Sequence, residues 1–88
     1  MAIARLNGEV IAESTETVVL QGLHYFPAQS VRVEMFRPNS ARDDGHYYSV
    51  IVQGKATPDC ACYLTGPTIP DPRIDQHVAF FGPVQVEE

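Results

Sequence analysis

Short apolar runs separated by turn residues recur along this chain, and their spacing is typical of β-strands. Residues 2–6 and 9–12 flank Asn7-Gly8, a pair well suited to a type I′ hairpin turn because both residues tolerate positive φ. Residues 17–21 (TVVLQ) form a β-branched run. The N-terminal quarter of the chain therefore predicts a hairpin followed by another short strand.

The pattern becomes ambiguous over residues 28–36. Val31 and Met35 repeat at helical spacing, while Val31, Val33 and Met35 also alternate at strand spacing, so periodicity does not separate helix from strand here. A proline precedes the segment, and proline suits the first turn of a helix. A short helix or 3₁₀ turn over about residues 28–35 is the favoured interpretation.

Clearer strand signals follow a polar stretch. Residues 38–45 (PNSARDDG) are typical of a loop, whereas residues 46–53 (HYYSVIVQ) are rich in aromatic and β-branched side chains and predict a strand. Residues 60–64 (CACYL) predict another strand. Its two cysteines are two residues apart, so we interpret them as small strand residues that face one side.

The C-terminal part of the chain predicts a loop and a closing hairpin. Residues 66–75 hold three prolines and are expected to form an ordered extended loop. Residues 78–81 and 84–87 are expected to pair across a Gly-Pro turn. The chain as a whole predicts a mainly β fold: a bent antiparallel sheet closing into a small sandwich, barrel or β-tent-like fold, with one short helix or 3₁₀ turn.

Length, charge and hydropathy narrow the class of protein. The 88 residues are expected to form a single domain, 1–88, whose small core favours extra burial in a homodimer. A net charge of −5, with no two basic residues adjacent, argues against nucleic-acid binding. No apolar run approaches the roughly 20 residues that a bilayer requires, and the first residues lack an apolar signal core. We therefore expect a cytoplasmic protein that binds neither nucleic acid nor membrane.

Several segments, read in order, resemble the bacterial domain-of-unknown-function 427 family, and together they extend over nearly the whole chain. The matching pieces are residues 7–14 (NGEVIAES), 24–27 (HYFP), 45–48 (GHYY), the strand around Tyr63, 70–72 (PDP), Ile74 and 77–81 (HVAFF). The resemblance implies a small β-rich, tent-like domain of the 427 type, for which no reaction is established.

The chain also departs from the pattern that this family implies. Relatives are expected to carry a Cys-Pro-aromatic-Lys-Gly segment where residues 41–45 read ARDDG, and an arginine where this chain has Ala28. The cysteine and lysine of that segment are absent here. If the family has a site built on those groups, we expect this divergent member to have altered or lost it.

Tyrosines and histidines are the main candidates for a site. Tyr47, Tyr48 and Tyr63 are either core packing, which strands favour, or the wall of a pocket whose hydroxyl groups hold a polar ligand. His24, His46 and His77 each precede a strand segment and would converge at one end if the sheet folds back on itself. A histidine there could serve as a general acid or base, or could simply lie at the surface.

Metal binding and anion binding are two further candidate chemistries. One Cys-x-Cys pair with scattered histidines does not match the ligand spacing of structural zinc sites, so no metal or cofactor is expected. Arg32 is a candidate partner for an anionic group, because guanidinium suits carboxylate and phosphate; the alternative is a solvated charge beside Glu34.

These patterns favour a non-catalytic ligand-binding or protein-interaction module, forming a homodimer through an exposed sheet edge. The rival hypothesis is an enzyme or small-molecule binder with a pocket lined by tyrosine and histidine. The residues of that predicted site are Tyr47, Tyr48, Tyr63, His24, His46, His77 and Arg32.

Overall fold

The computed structural model describes residues 1–42, 45–65, 69 and 71–87, and in this part of the chain the regular elements are β-strands and 3₁₀ turns. The strands are β1 (Ala2–Leu6), β2 (Glu9–Ser14), β3 (Val18–Leu20), β4 (Leu23–Pro27), β5 (Phe36–Arg42), β6 (Gly45–Val52), β7 (Lys55–Leu64), β8 (His77–Phe80) and β9 (Gln85–Glu87). The 3₁₀ turns are Ala28–Ser30, Val33–Met35 and Pro72–Ile74.

The strands form two antiparallel sheets. The smaller sheet has the order β2-β1-β9, and the larger has the order β3-β4-β8-β7-β6-β5. Neither sheet closes on itself, so the fold is an open sandwich- or tent-like arrangement. The predicted mainly β fold class is confirmed.

The first hairpin is the one that Asn7-Gly8 predicts. Leu6 and Glu9 are paired in register across the turn, and Asn7 and Gly8 have φ values of 52° and 82°. Two positive φ values in succession match a type I′ turn, whose twist suits the two strands that it joins. The local sequence signal and the observed turn therefore agree.

Residues 28–35 form a strap rather than a helix, made of two 3₁₀ turns on either side of Val31. Val31 has extended backbone angles and makes an isolated antiparallel bridge with Ala12 of β2. The backbone N–H of Arg32 donates to the carbonyl of Ile11 at 2.9 Å. These bonds to the neighbouring strand occupy groups that an α-helix would use internally. The favoured interpretation was a short helix or 3₁₀ turn, and the structure has the 3₁₀ form, in two turns.

The loop predicted over residues 38–45 is wrong for its first part, because β5 (Phe36–Arg42) pairs with β6; residues 43 and 44 lie outside the described residues. β5 is an outer strand, so it needs hydrogen bonds on one side only, and Pro38 is tolerated there. Its register shifts beside Asn39, whose amide donates to the Asp59 carboxylate at 2.6 Å. A polar sequence can thus form an edge strand.

The predicted closing hairpin between residues 78–81 and 84–87 is also wrong. β9 pairs with β1, with Ala4 opposite Val86, and Arg5 forms an ion pair with Glu87 at 2.7 Å. Val86 packs against the hydrophobic core there. Burial of this side chain and pairing with the first strand favour the smaller sheet over the local hairpin.

Two groups of buried side chains hold the fold together. The inner core draws on both sheets and contains Ala2, Ala4, Leu6, Ile11, Ala12, Phe26, Phe36, Val50, Val52, Cys60, Ala61, Val78 and Phe80. The outer cluster contains Cys62, Leu64, Ile74 and Ala79. Because successive residues on a strand point to opposite faces, β7 and β8 contribute to both groups.

Candidate functional site

A pocket of about 390 Å³ lies beside the inner core, between the 28–35 strap and the strands β5 to β8. Pockets of roughly 300–1,000 Å³ are typical of small-molecule sites. The residues that line it are Ala28, Val31, Val33, Phe36, Pro38, Tyr48, Ala61, Tyr63 and Val78.

The floor of the pocket comes from the larger sheet. Tyr48 on β6 lies opposite Ala61 on β7, and Tyr63 follows two residues later on the same face of β7. The alanine side chain is short, so it leaves space between the two tyrosine rings. Tyr48 packs edge-to-face against Phe36, with ring centroids 6.0 Å apart, which holds its ring in place.

The strap forms the facing wall, and hydrogen bonds anchor it at both ends, from the backbone at its start and from a side chain at its end. The N–H of Ala28 donates to the carbonyl of Gln76 at 3.0 Å. The Arg37 guanidinium donates to the carbonyls of Glu34 and Phe36, at 3.1 Å and 2.9 Å. Together with the bond from Arg32 to β2, these contacts tie the strap to both sheets. The pocket is therefore built from anchored elements.

The side chains that line the pocket are apolar except for two hydroxyl groups. The only polar side-chain atoms among its lining residues are the hydroxyl oxygens of Tyr48 and Tyr63. Within the described residues neither hydroxyl makes a hydrogen bond to the protein, and neither hydroxyl oxygen is fully buried. Each hydroxyl oxygen therefore keeps some contact with solvent, while the two tyrosine residues are half-buried.

Two of the predicted site residues lie on the opposite face of the sheet. Tyr47 packs against the outer cluster and stacks on Phe81, with ring centroids 6.5 Å apart. His77 is paired with Leu64, and its Nδ1 lies 2.7 Å from the carbonyl oxygen of Asp75. Neither residue lines the pocket.

The other predicted residues have separate positions. His24 lies on β4 opposite Val19, and His46 is exposed at the start of β6 opposite Tyr63. Arg32 is exposed on the strap between two lining valines without lining the pocket itself. The structure thus brings Tyr48 and Tyr63 together and leaves the three histidines and Arg32 outside the pocket walls.

The two cysteines are buried in different places, which corrects the expectation that they face one side. Cys60 belongs to the inner core and Cys62 to the outer cluster. The reason is a register shift between β6 and β7, next to Asp59, whose φ is 53°. Burial raises the pKa of the Cys60 thiol, whose Sγ lies 3.3 Å from the Thr57 carbonyl oxygen. A thiol with a raised pKa is a poor nucleophile.

The described ranges contain neither a candidate metal-binding cluster nor a membrane-spanning helix. No group of three or more His, Cys, Asp or Glu side chains is placed there to hold a metal ion. None of the helical turns found in those ranges has the length and apolar character required to cross a bilayer.

Sequence reasoning missed most of the pocket because it searched for polar side chains. The apolar lining residues look like ordinary core positions until the strap is placed over the sheet. Ala28 is the one lining residue that the sequence marked as unusual. It follows Phe26-Pro27 at the position where the family resemblance implies an arginine.

The arrangement defines a small, open, two-sheet β protein with an apolar pocket under a 3₁₀ strap. A family model described as "Domain of unknown function (DUF427)" matches residues 2–88, and the chain belongs to this family. A search of curated proteins finds no match. The family description assigns no activity. The pocket is therefore the feature of the structure that bears on function.

Proposed function

We propose that this protein is a non-catalytic binding module that holds a small molecule in the pocket under the 28–35 strap. The observation that carries the proposal is the concave apolar pocket of about 390 Å³, whose lining residues include the half-buried tyrosines Tyr48 and Tyr63. Apolar walls supply affinity through burial, and a few polar groups orient the ligand.

Binding is favoured over catalysis because of what lines the pocket. General acid–base catalysis uses a side chain that titrates near the working pH, most often histidine. The lining residues include no His, Cys, Asp, Glu, Lys, Ser or Thr. Tyrosine hydroxyls have an ordinary pKa of about 10 and serve better as hydrogen-bonding groups near neutral pH. The rival hypothesis, an enzyme or small-molecule binder, rests on a pocket lined by tyrosine and histidine. Its residues are Tyr47, Tyr48, Tyr63, His24, His46 and His77, and only Tyr48 and Tyr63 line the pocket.

The test is a thermal-shift screen of the full chain against a fragment library of neutral, anionic and cationic compounds. A ligand at 100 times its Kd stabilises the native state by about 2.7 kcal/mol, which raises the Tm of a domain this small by roughly 10–20 °C. We expect a related group of compounds to raise the Tm. An absence of stabilising compounds across the library would contradict the proposal.

A matched pair of surface variants locates the binding. Val33 lines the pocket and is 68% exposed, so Val33→Asp places a charge in the pocket wall with little effect on folding. Leu23→Asp introduces the same charge on β4, at a residue that is 38% exposed and outside the pocket. Ligands of the pocket should stabilise the Leu23 variant and not the Val33 variant. Equal stabilisation of both variants would place the binding elsewhere.

A further inference from the structure

We infer that the ligand of this pocket is an uncharged, ring-bearing apolar molecule that carries one hydrogen-bonding group. The inference rests on the proposed function and adds the chemical class of the ligand. Three properties of the described residues support it: the charge of the walls, the shape of the floor and the position of the two hydroxyl groups.

The walls offer no countercharge. None of the lining residues is acidic or basic, and a charged group that leaves water for such a surface loses its hydration without compensation. The charged residues on and beside the strap, Arg32, Glu34 and Arg37, are all exposed, so water and salt screen their charges. The net charge of −5 on the whole chain further disfavours an anion.

The floor suits a ring. Tyr48 and Tyr63 are diagonal neighbours on one face of β6 and β7, with Ala61 beside them. Aromatic side chains pack well against flat apolar rings. A volume of about 390 Å³ is that of roughly thirteen molecules of liquid water, which suits one or two rings and is small for a dinucleotide.

The two hydroxyl groups account for the hydrogen-bonding group. Each phenol can donate one hydrogen bond and accept others, and the two tyrosines lie on the same face of the sheet. A hydroxyl or carbonyl at the edge of the ligand can form a hydrogen bond with either of them. A ligand without such a group would leave them with fewer partners.

The experiment uses four probes that share one ring system: naphthalene, 2-naphthol, 2-naphthoate and 2-naphthylmethylammonium. Each is titrated into the full chain at neutral pH and followed by amide chemical-shift changes in two-dimensional NMR, which report both affinity and position. We expect 2-naphthol to shift the amides of Val33, Tyr48, Ala61 and Tyr63. Its affinity should exceed that of either charged probe by at least about tenfold.

Paired variants test the role of the hydroxyl groups. In the Tyr48→Phe, Tyr63→Phe double variant, the preference for 2-naphthol over naphthalene should fall by roughly fivefold, because a hydrogen bond is lost while the ring surface remains. The affinity for naphthalene itself should be unchanged. Tyr25→Phe is the control, since Tyr25 packs against the outer cluster and lies outside the pocket.

Two results would overturn the inference. If 2-naphthoate binds in the pocket as tightly as 2-naphthol, and Arg32→Gln removes that binding, the ligand is an anion recognised by Arg32. In that case the binding module itself still stands. If no probe shifts the pocket amides while the fragment screen yields stabilising compounds of another class, the ligand class is wrong and the proposed function is again retained.

Discussion

Tyr47 and Tyr48 are neighbours in the chain but pack on opposite faces of the larger sheet. Tyr48 meets Phe36 edge-to-face beside the inner core, whereas Tyr47 stacks on Phe81 over the outer cluster. The alternation of a β-strand separates them. Only Tyr48 reaches the pocket, so the two tyrosines should respond differently to substitution.

A comparison of two buried alanines tests whether the space beside Tyr48 is open. Ala61→Leu extends into the pocket, so its free energy of unfolding should change by no more than about 1 kcal/mol, and cavity filling can even stabilise. Ala79→Leu adds the same atoms to the packed outer cluster and should cost about 1–3 kcal/mol. Urea unfolding measures both. If the two variants lose the same amount of unfolding free energy, the pocket does not accept a larger side chain.

The aromatic contacts of the inner core should dominate stability. Phe26 is fully buried and packs edge-to-face against Phe80, with ring centroids 5.4 Å apart. Phe26→Ala should lower the free energy of unfolding by about 3–5 kcal/mol, a large share of the total for a small domain. Val33→Ala is the control, because this exposed side chain should contribute less than about 0.5 kcal/mol. Chemical denaturation of the two variants checks the difference.

The loop before β8 should respond to acid. The Arg73 guanidinium, and then the Arg73 backbone N–H, hydrogen-bond to Asp71 and lower the pKa of this carboxyl group from 3.8 to about 2. A carboxyl group with a lowered pKa contributes stability that is present above pH 3.8 and is lost as the pH falls toward 2. The exposed ion pair makes this contribution small.

Asp71→Asn isolates that contribution, because asparagine keeps the side-chain oxygen that accepts from the Arg73 N–H. The Tm difference between the wild-type protein and this variant should be constant above about pH 5 and shrink toward pH 2. A Tm difference that does not change with pH would show that the charge of Asp71 plays no part.

Cys60 should be unreactive in the native protein. Burial raises the pKa of its thiol above 9.0, and the thiolate is the nucleophilic form. Native protein treated with iodoacetamide at pH 8 should stay unmodified at Cys60 by mass spectrometry, and protein in urea should be alkylated. Because the unfolded chain ionises first, stability should also fall as the pH rises above 9. Rapid alkylation under native conditions would contradict this burial.

The homodimer expected from the sequence stays a prediction. In the larger sheet the outer strands are β3 and β5, and β5 contains Pro38, which lacks an N–H for pairing. We therefore expect a second copy to pair along β3, where Val19 is exposed. Light scattering at micromolar concentration should give twice the chain mass for the wild-type protein and the monomer mass for Val19→Lys. A monomeric wild-type protein would count against the dimer.

Local signals predicted much of the fold. The turn at Asn7-Gly8 needs two positive φ values, and both residues adopt them at little cost, so the hairpin is visible in the sequence. The strand that contains Tyr47 and Tyr48 is visible for a similar reason, since its aromatic and β-branched residues favour extended backbone.

Long-range contacts explain the two strand errors. β5 (Phe36–Arg42) is polar and contains a proline, and it becomes a strand because β6 supplies its hydrogen bonds. β9 (Gln85–Glu87) leaves its neighbour β8 because β1, at the other end of the chain, supplies a better partner for Val86. Neither partner can be identified from local propensity.

The sequence by itself determined the mainly β class, the first hairpin and the family resemblance, because each depends on backbone preferences or on ordered local motifs. The tertiary structure decided which of the candidate side chains meet. It placed Tyr48 and Tyr63 together over Ala61 and directed Tyr47 and His77 to the other face. The physical reason is that a pocket forms between elements far apart in the chain, where strand pairing and the anchored strap determine which side chains face one another.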